Sequence, residues 1–250
     1  MLIIQRAAER YNGGDPAAGI DTWHAFAFAG FYDPDNLRFG SLTACNEEIL
    51  APGAGFAEHP HRDTEIVSWV LEGELRHEDS AGRSELVRAG DLQWLSAGSG
   101  VRHVERNAGP GTLRFLQMWL LPAKSGGEPG HRVVRRPLGE GGRRAGDGAA
   151  MARCPVPGAD AVLHLWRPAP GGGPGPELPA APWCYLHVAR GGVSLVAPER
   201  PEGVRLAAGD AARVAPVGGS ADPHPARLEQ TEPGTELLVW EMHSTPGPPS

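Results

Sequence analysis

Two short runs carry residue types that hold metals: His59-Pro60-His61 and His103-Val104-Glu105. In an extended strand alternate side chains share a face, so the outer residues of each run can aim at one point. Pro60 lacks a backbone donor, which places its segment at a strand start or on a sheet edge. Three imidazoles and one carboxylate leave open positions on a six-coordinate divalent ion. Such N/O ligation suits Fe(II), Mn, Co, Ni or Cu(II) better than Mg or Ca. A closed four-ligand zinc site is the alternative on ligand count. Glu65 competes with Glu105 for the carboxylate position, since strand parity puts it on the face of His61 unless the chain bends between them. His24 and His77 have no paired ligand and read as structural. Asp63, Glu72 and Glu74 read as surface or turn charges.

The elements that must position these residues are strands. Ile66–Leu71 is β-branched and aromatic, and strand-like runs follow at Leu75–Glu78, Leu86–Val87, Leu92–Leu95, Val101–Glu105 and Leu113–Leu121. An earlier run covers Ser41–Leu50. Gly-rich turns every 8–12 residues indicate an all-β sandwich or barrel. Residues 126–160 are rich in Gly, Arg and Pro and read as a partly flexible connection. Strand-like runs return at Val162–Trp166, Trp183–Val188, Val193–Val196, Ala212–Ala215 and Glu236–Met242, and the tail Ser244–Ser250 reads as disordered. The expected organisation is residues 1–125, a connection over 126–160, and residues 161–250.

The 250 residues carry 35 Gly and 25 Pro, which favours turns over long helices. A net charge of −7 gives no support for direct nucleic-acid or anionic-membrane binding. Cys45, Cys154 and Cys184 are widely spaced without a Cys-x-x-Cys, which fits a reducing compartment. With no signal-like or membrane-length apolar run, a cytoplasmic location is expected.

A repeat is legible in the turns. Gly73 and Gly90-Asp91 recur as Gly192 and Gly209-Asp210, each offset by 119 residues, which suggests a duplicated β-domain. The same offset carries His59, His61, His103 and Glu105 to Leu178, Ala180, Asp222 and His224. If the first half binds a metal, the second half has lost that site.

Gly53-x5-His59-x-His61-x3-Glu65 with Gly73 resembles the first cupin motif, and Gly90-x5-Ser96-x-Gly98 with His103-x3-Asn107 resembles the second. Ser96 departs from the usual Pro. The run from His59 to Ile66 and the run from Gly90 to Glu105 look like pirins. Trp23–Phe28, Tyr32-Asp33-Pro34 and Pro52–Phe56 look like the bacterial pirins with quercetin 2,3-dioxygenase activity. The detailed likeness covers residues 1–122.

This resemblance implies a bicupin, two tandem jelly-roll β-barrels with a metal site only in the N-terminal one. The ligands carried over are His59, His61, His103 and Glu105, holding one divalent metal, Fe(II) first, with Cu, Ni, Co, Mn or Zn as alternatives. The implied activity is opening of the heterocycle of quercetin-like flavonols with dioxygen, with Glu105 as proton acceptor. Phe56, Trp94, Met118 and Trp119 are candidates to line the cavity. A different reading is also implied by the eukaryotic pirins: an iron-dependent, redox-responsive regulatory protein acting through a protein partner.

Overall fold

The structure, a computed structural model, describes residues 1–139, 143–144, 148–216 and 224–244. The expected tail after Ser244 and part of the Gly141–Arg144 run lie outside the described residues. The expected all-β class holds: apart from three 3-10 turns, every named element is a strand. No helix among the described residues is long and apolar enough to cross a membrane.

Two compact units form. One comprises Arg10–Arg136 with Pro157–Ala159. Its large antiparallel sheet runs in the order Gly130–Val134, Leu92–Ser96, Glu65–Glu72, Leu113–Leu120, Leu42–Leu50, Ile20–His24, Tyr11–Asp15. Its small sheet runs Gly55–His61, Val101–Asn107, Glu74–Asp79, Ser84–Arg88. Alternating apolar residues of the two sheets meet in a core that includes Val70, Leu75, Val87, Leu113 and Phe115.

The other unit comprises Met1–Glu9, Pro137–Val156 and the described residues from Asp160 to Ser244. Its large sheet repeats the first: Leu2–Gln5, Ala211–Val214, Trp183–Arg190, Glu236–Met242, Ala161–Arg167, Ala150–Val156, Arg143–Arg144. Its small sheet has three strands among the described residues, Arg200–Ala207, Gly192–Ala197 and Arg227–Thr231. The strand without a counterpart there is Gly55–His61, which carries the His-Pro-His run. Leu178 and Ala180, the offset positions of His59 and His61, lie outside any strand, and Asp222 is outside the described residues. His224 pairs with Glu199.

The units depart from the boundaries expected from composition. Residues 1–9 belong with the second unit, where Leu2–Gln5 pairs with Ala211–Val214. The segment 126–160 is not a bare connection. Gly130–Val134 closes the first unit's sheet on Leu92–Ser96, and Ala150–Val156 pairs with Ala161–Arg167 in the second. The reason is visible at the repeated Gly-Asp turns. Gly90 and Gly209 adopt φ of 85° and 86°, which L side chains avoid. The aspartates beside them are anchors. Asp91 accepts from the Arg136 backbone N–H and the Arg135 guanidinium; Asp210 accepts from the Ala7 N–H and the Arg6 guanidinium. Each turn therefore captures the end of a strand that composition had assigned elsewhere. The other turn repeats one residue off the expected spacing: Gly73 (φ 79°) corresponds to Gly191 (φ 69°), not to Gly192.

Candidate metal centre

The strand Gly55–His61 is the edge of the small sheet, as the Pro60 argument requires. His59 sits directly opposite His103 on Val101–Asn107, while Glu105 sits opposite Phe56. The register shift between these pairs is a bulge at Ala57 and Glu58. Because His59 pairs with His103, alternation along each strand puts His59, His61, His103 and Glu105 on one face, and the bulge sets Phe56 opposite Glu105.

The three imidazoles converge. One nitrogen from each of His59, His61 and His103 lies within 4.8 Å of the others. The Nε2 atoms of His59 and His103 are 3.1 Å apart. Two imidazole nitrogens bound at about 2.0–2.1 Å to one ion, at a right angle, stand about 2.9 Å apart. His59 donates its Nδ1 proton to the Ala57 carbonyl at 2.8 Å, which leaves Nε2 with its lone pair free. Nε2 of His61 is buried and makes no hydrogen bond. A buried polar nitrogen without a partner is costly, and an ion at the cluster removes that cost. Burial, then the neighbouring His103 and His59, push the His61 imidazole down to about 4; burial above all does the same to His103. Neutral imidazoles are the form that binds metals. The donor set therefore suits a divalent metal.

Glu105 is placed differently from the histidines. It does not join the three-histidine cluster; its carboxylate groups with His77 and His103 instead. Both of its oxygens accept amide protons at 2.7 Å, Oε1 from Gln93 and Oε2 from Gln117. Burial on its own would raise this carboxyl, but His77, His103 and Gln93 outweigh it and hold Glu105 at about 2. Each oxygen keeps a second lone pair, so the amides orient the carboxylate without barring it from an ion.

Glu65 does not approach the cluster. A bend at Asp63, with φ of 49°, breaks the strand parity after His61. Glu65 instead accepts from the Trp94 indole N–H and the Ser96 hydroxyl, each at 2.7 Å.

His77 is the residue that sequence reasoning passed over. It is fully buried on Glu74–Asp79, opposite Glu105. Its Nδ1 is 3.4 Å from Nδ1 of His103, and its Nε2 is 3.4 Å from Asp79. Burial lowers its affinity for a proton, but Glu105 and Asp79 outweigh that and raise it overall. His131, from the segment expected to be a connection, stacks on His77 at 4.4 Å. The alternation Leu75, His77, Asp79 on a strand beside His103 and Glu105 was the available signal.

A cavity of about 530 Å³ opens onto His59. Its walls are mainly apolar, with Ile20, Phe28, Phe56 and Trp119, and the polar residues include Asn46, Glu48 and Gln117. Of the candidates for lining, Phe56 and Trp119 are on the wall. Trp94 is engaged with Glu65 and Met118 is fully buried in the core. Trp119 also meets His61 edge-on at 4.8 Å. His24 is buried against Asn46 and Phe28, a structural role.

Comparison with known proteins identifies the family. A profile of the Pirin family matches residues 5–120. A protein of Mycobacterium tuberculosis (strain H37Rv), named provisionally as a quercetin 2,3-dioxygenase, is 37% identical over 258 residues, covering 98% of this chain and 96% of that protein. The quercetin 2,3-dioxygenase of Escherichia coli K12 is 40% identical over 136 residues, which is 54% of this chain and 58% of that protein. Among solved structures, the bacterial pirin YhhW of Escherichia coli in complex with nickel(II) superposes with a TM-score of 0.80 at 27% identity, covering 98% of this chain and all of that one. With near-complete overlap at this identity, and the family profile lying on the strands that carry the histidine cluster, the chain belongs to the pirin family.

Proposed function

We propose that this protein is a metal-dependent dioxygenase that opens the heterocycle of quercetin-like flavonols with dioxygen. The observation that carries this reading is the join between cavity and cluster: an apolar pocket of about 530 Å³ ends on His59. Its size and lining fit a small aromatic molecule. The names of the relatives above support the substrate class.

His59, His61 and His103 would hold the ion through nitrogen, with Glu105 as the carboxylate of the set. Iron(II) is the first metal to test, with Ni, Co, Mn, Cu and Zn beside it. When bound, the ion supplies Lewis acidity toward a substrate hydroxyl and a redox partner for the reaction with dioxygen. The protein's own contributions are positional. Phe28, Phe56 and Trp119 enclose the aromatic rings and exclude water. Gln93 and Gln117 orient Glu105, and the Ala57 carbonyl fixes the His59 tautomer. The three widely spaced cysteines fit a reducing, cytoplasmic setting.

The test is to load the purified protein with each metal under controlled oxygen and follow loss of the flavonol absorption band. Turnover should depend on metal and vanish in His59→Ala and Glu105→Ala. Stoichiometric metal binding without turnover on any metal would leave the regulatory reading ahead.

A further inference from the structure

Glu47 and Glu48 are neighbours on Leu42–Leu50 and face opposite ways. Glu47 is held by two cations, Arg10 at 2.8 Å and Arg114 at 2.5 Å. Glu48 lines the cavity and is 3% exposed, yet among the described residues it forms no ion pair. Its Oε2 accepts from the Thr22 hydroxyl at 2.5 Å. A buried carboxylate without a cation is expensive to keep, and a glutamine or an apolar residue would fill the position at less cost. Its place on the wall of the cavity that ends on His59 gives a reason to retain it.

We propose that Glu48 is the residue that recognises a hydroxyl of the aromatic ligand and takes its proton. This rests on the flavonol reading of the cavity. The step breaks the ligand O–H bond and forms a carboxyl O–H on Glu48, leaving an ionised oxygen on the ligand. The proton then leaves through the cavity mouth to solvent when the site empties.

The surroundings suit the role. Burial raises the Glu48 carboxyl to about 7; the Thr22 and Asn46 hydrogen bonds oppose this, while the charges of Glu105 and Asp21 add to it. The other titratable groups on the same cavity are Asp15 and His59. Glu105 has an amide donor on each oxygen, from Gln93 and Gln117, whereas Glu48 stands on the cavity wall where a ligand hydroxyl can reach it.

The experiment is an anaerobic equilibrium titration with quercetin, read by affinity and by the red-shifted absorption of its ionised form. It uses the metal-loaded protein and the chelator-treated protein, each as wild type, Glu48→Gln and Glu48→Asp. Wild type should show the ionised band with and without metal. E48Q should bind about tenfold more weakly and lose the band in the chelated protein, and E48D should restore the band. Thermal unfolding checks that the variants are folded. Equal affinity and an equal band in wild type and E48Q would overturn the proposal, as would failure of wild type to bind. Quercetin turnover by metal-loaded wild type separates the two claims. Turnover that E48Q leaves unchanged, with unchanged binding, defeats the Glu48 role alone; Glu48-dependent binding without turnover defeats the dioxygenase reading alone.

Discussion

The Nε2 atoms of His59 and His103 lie 3.1 Å apart, on directly paired residues of two adjacent strands. Two lone pairs at this distance repel unless a proton or an ion lies between them. With His59 Nδ1 committed to the Ala57 carbonyl, its Nε2 presents a lone pair to whichever lies there. Replacing His61 or His103 with Ala should abolish stoichiometric metal in gel-filtered protein, measured by elemental analysis. Glu65→Gln should leave metal content unchanged, because that carboxylate is spent on Trp94 and Ser96. Metal lost from the Glu65 variant alone would restore it as a ligand.

His77 reaches the centre through His103. The 3.4 Å between their Nδ1 atoms admits one proton, and Asp79 at the far side of His77 helps decide where it sits. Outer-shell partners of metal-bound histidines typically alter affinity by about 10–100-fold. His77→Asn should weaken metal binding by that amount while retaining one ion per chain at saturation. Competition with a chelator of known affinity gives the measurement.

Glu47 and Glu48 should respond in opposite ways to loss of charge. Glu47→Ala strands the guanidiniums of Arg10 and Arg114, of which Arg10 is nearly buried. Breaking a buried ion pair from one side costs about 3–5 kcal/mol. Glu48→Gln removes a carboxylate with no cation and should cost nothing in denaturant stability at pH 8.

The pH dependence of Glu48 has a definite sign. Its carboxyl sits at about 7 in the folded chain against an ordinary 4.5. Between these values the folded state holds the proton and the unfolded state does not. The stability it contributes is fully present below pH 4.5 and is lost as pH rises through 7. Metal-free E48Q should therefore gain on wild type across that window, by on the order of 3 kcal/mol. Urea midpoints of the two proteins between pH 4.5 and 8 test this, and parallel curves would contradict it.

At the second unit, Asp210 ties down the chain's first residues by accepting from the Ala7 N–H and from Arg6, each at 2.8 Å. Asp210→Asn leaves these donors poorly matched and should destabilise by about 1–3 kcal/mol. Deleting residues 1–6 should go further, baring the edge of Ala211–Val214, and should be seen as faster proteolysis of the second unit.

The strands that carry the histidine cluster were legible because their information is local. Period-two spacing in His59-Pro60-His61 and His103-Val104-Glu105 survives any arrangement of the sheet, and Pro60 announces an edge. The Gly-Asp turns likewise announce the duplication, because a positive φ beside an anchoring carboxylate is a local demand. What only the tertiary structure decided depends on residues far apart in the chain. Leu2–Gln5 and Gly130–Val134 belong to sheets whose other strands lie elsewhere, and the Gly- and Arg-rich sequence near the latter conceals it. The bend at Asp63 overrules the parity of Glu65. His77 gains its place only by pairing beside His103, and Glu48 stands out only because both arginines lie on the other face of its strand. Alternation along a strand tells which residues share a face; what occupies the space in front of that face is set by the strands that pack there.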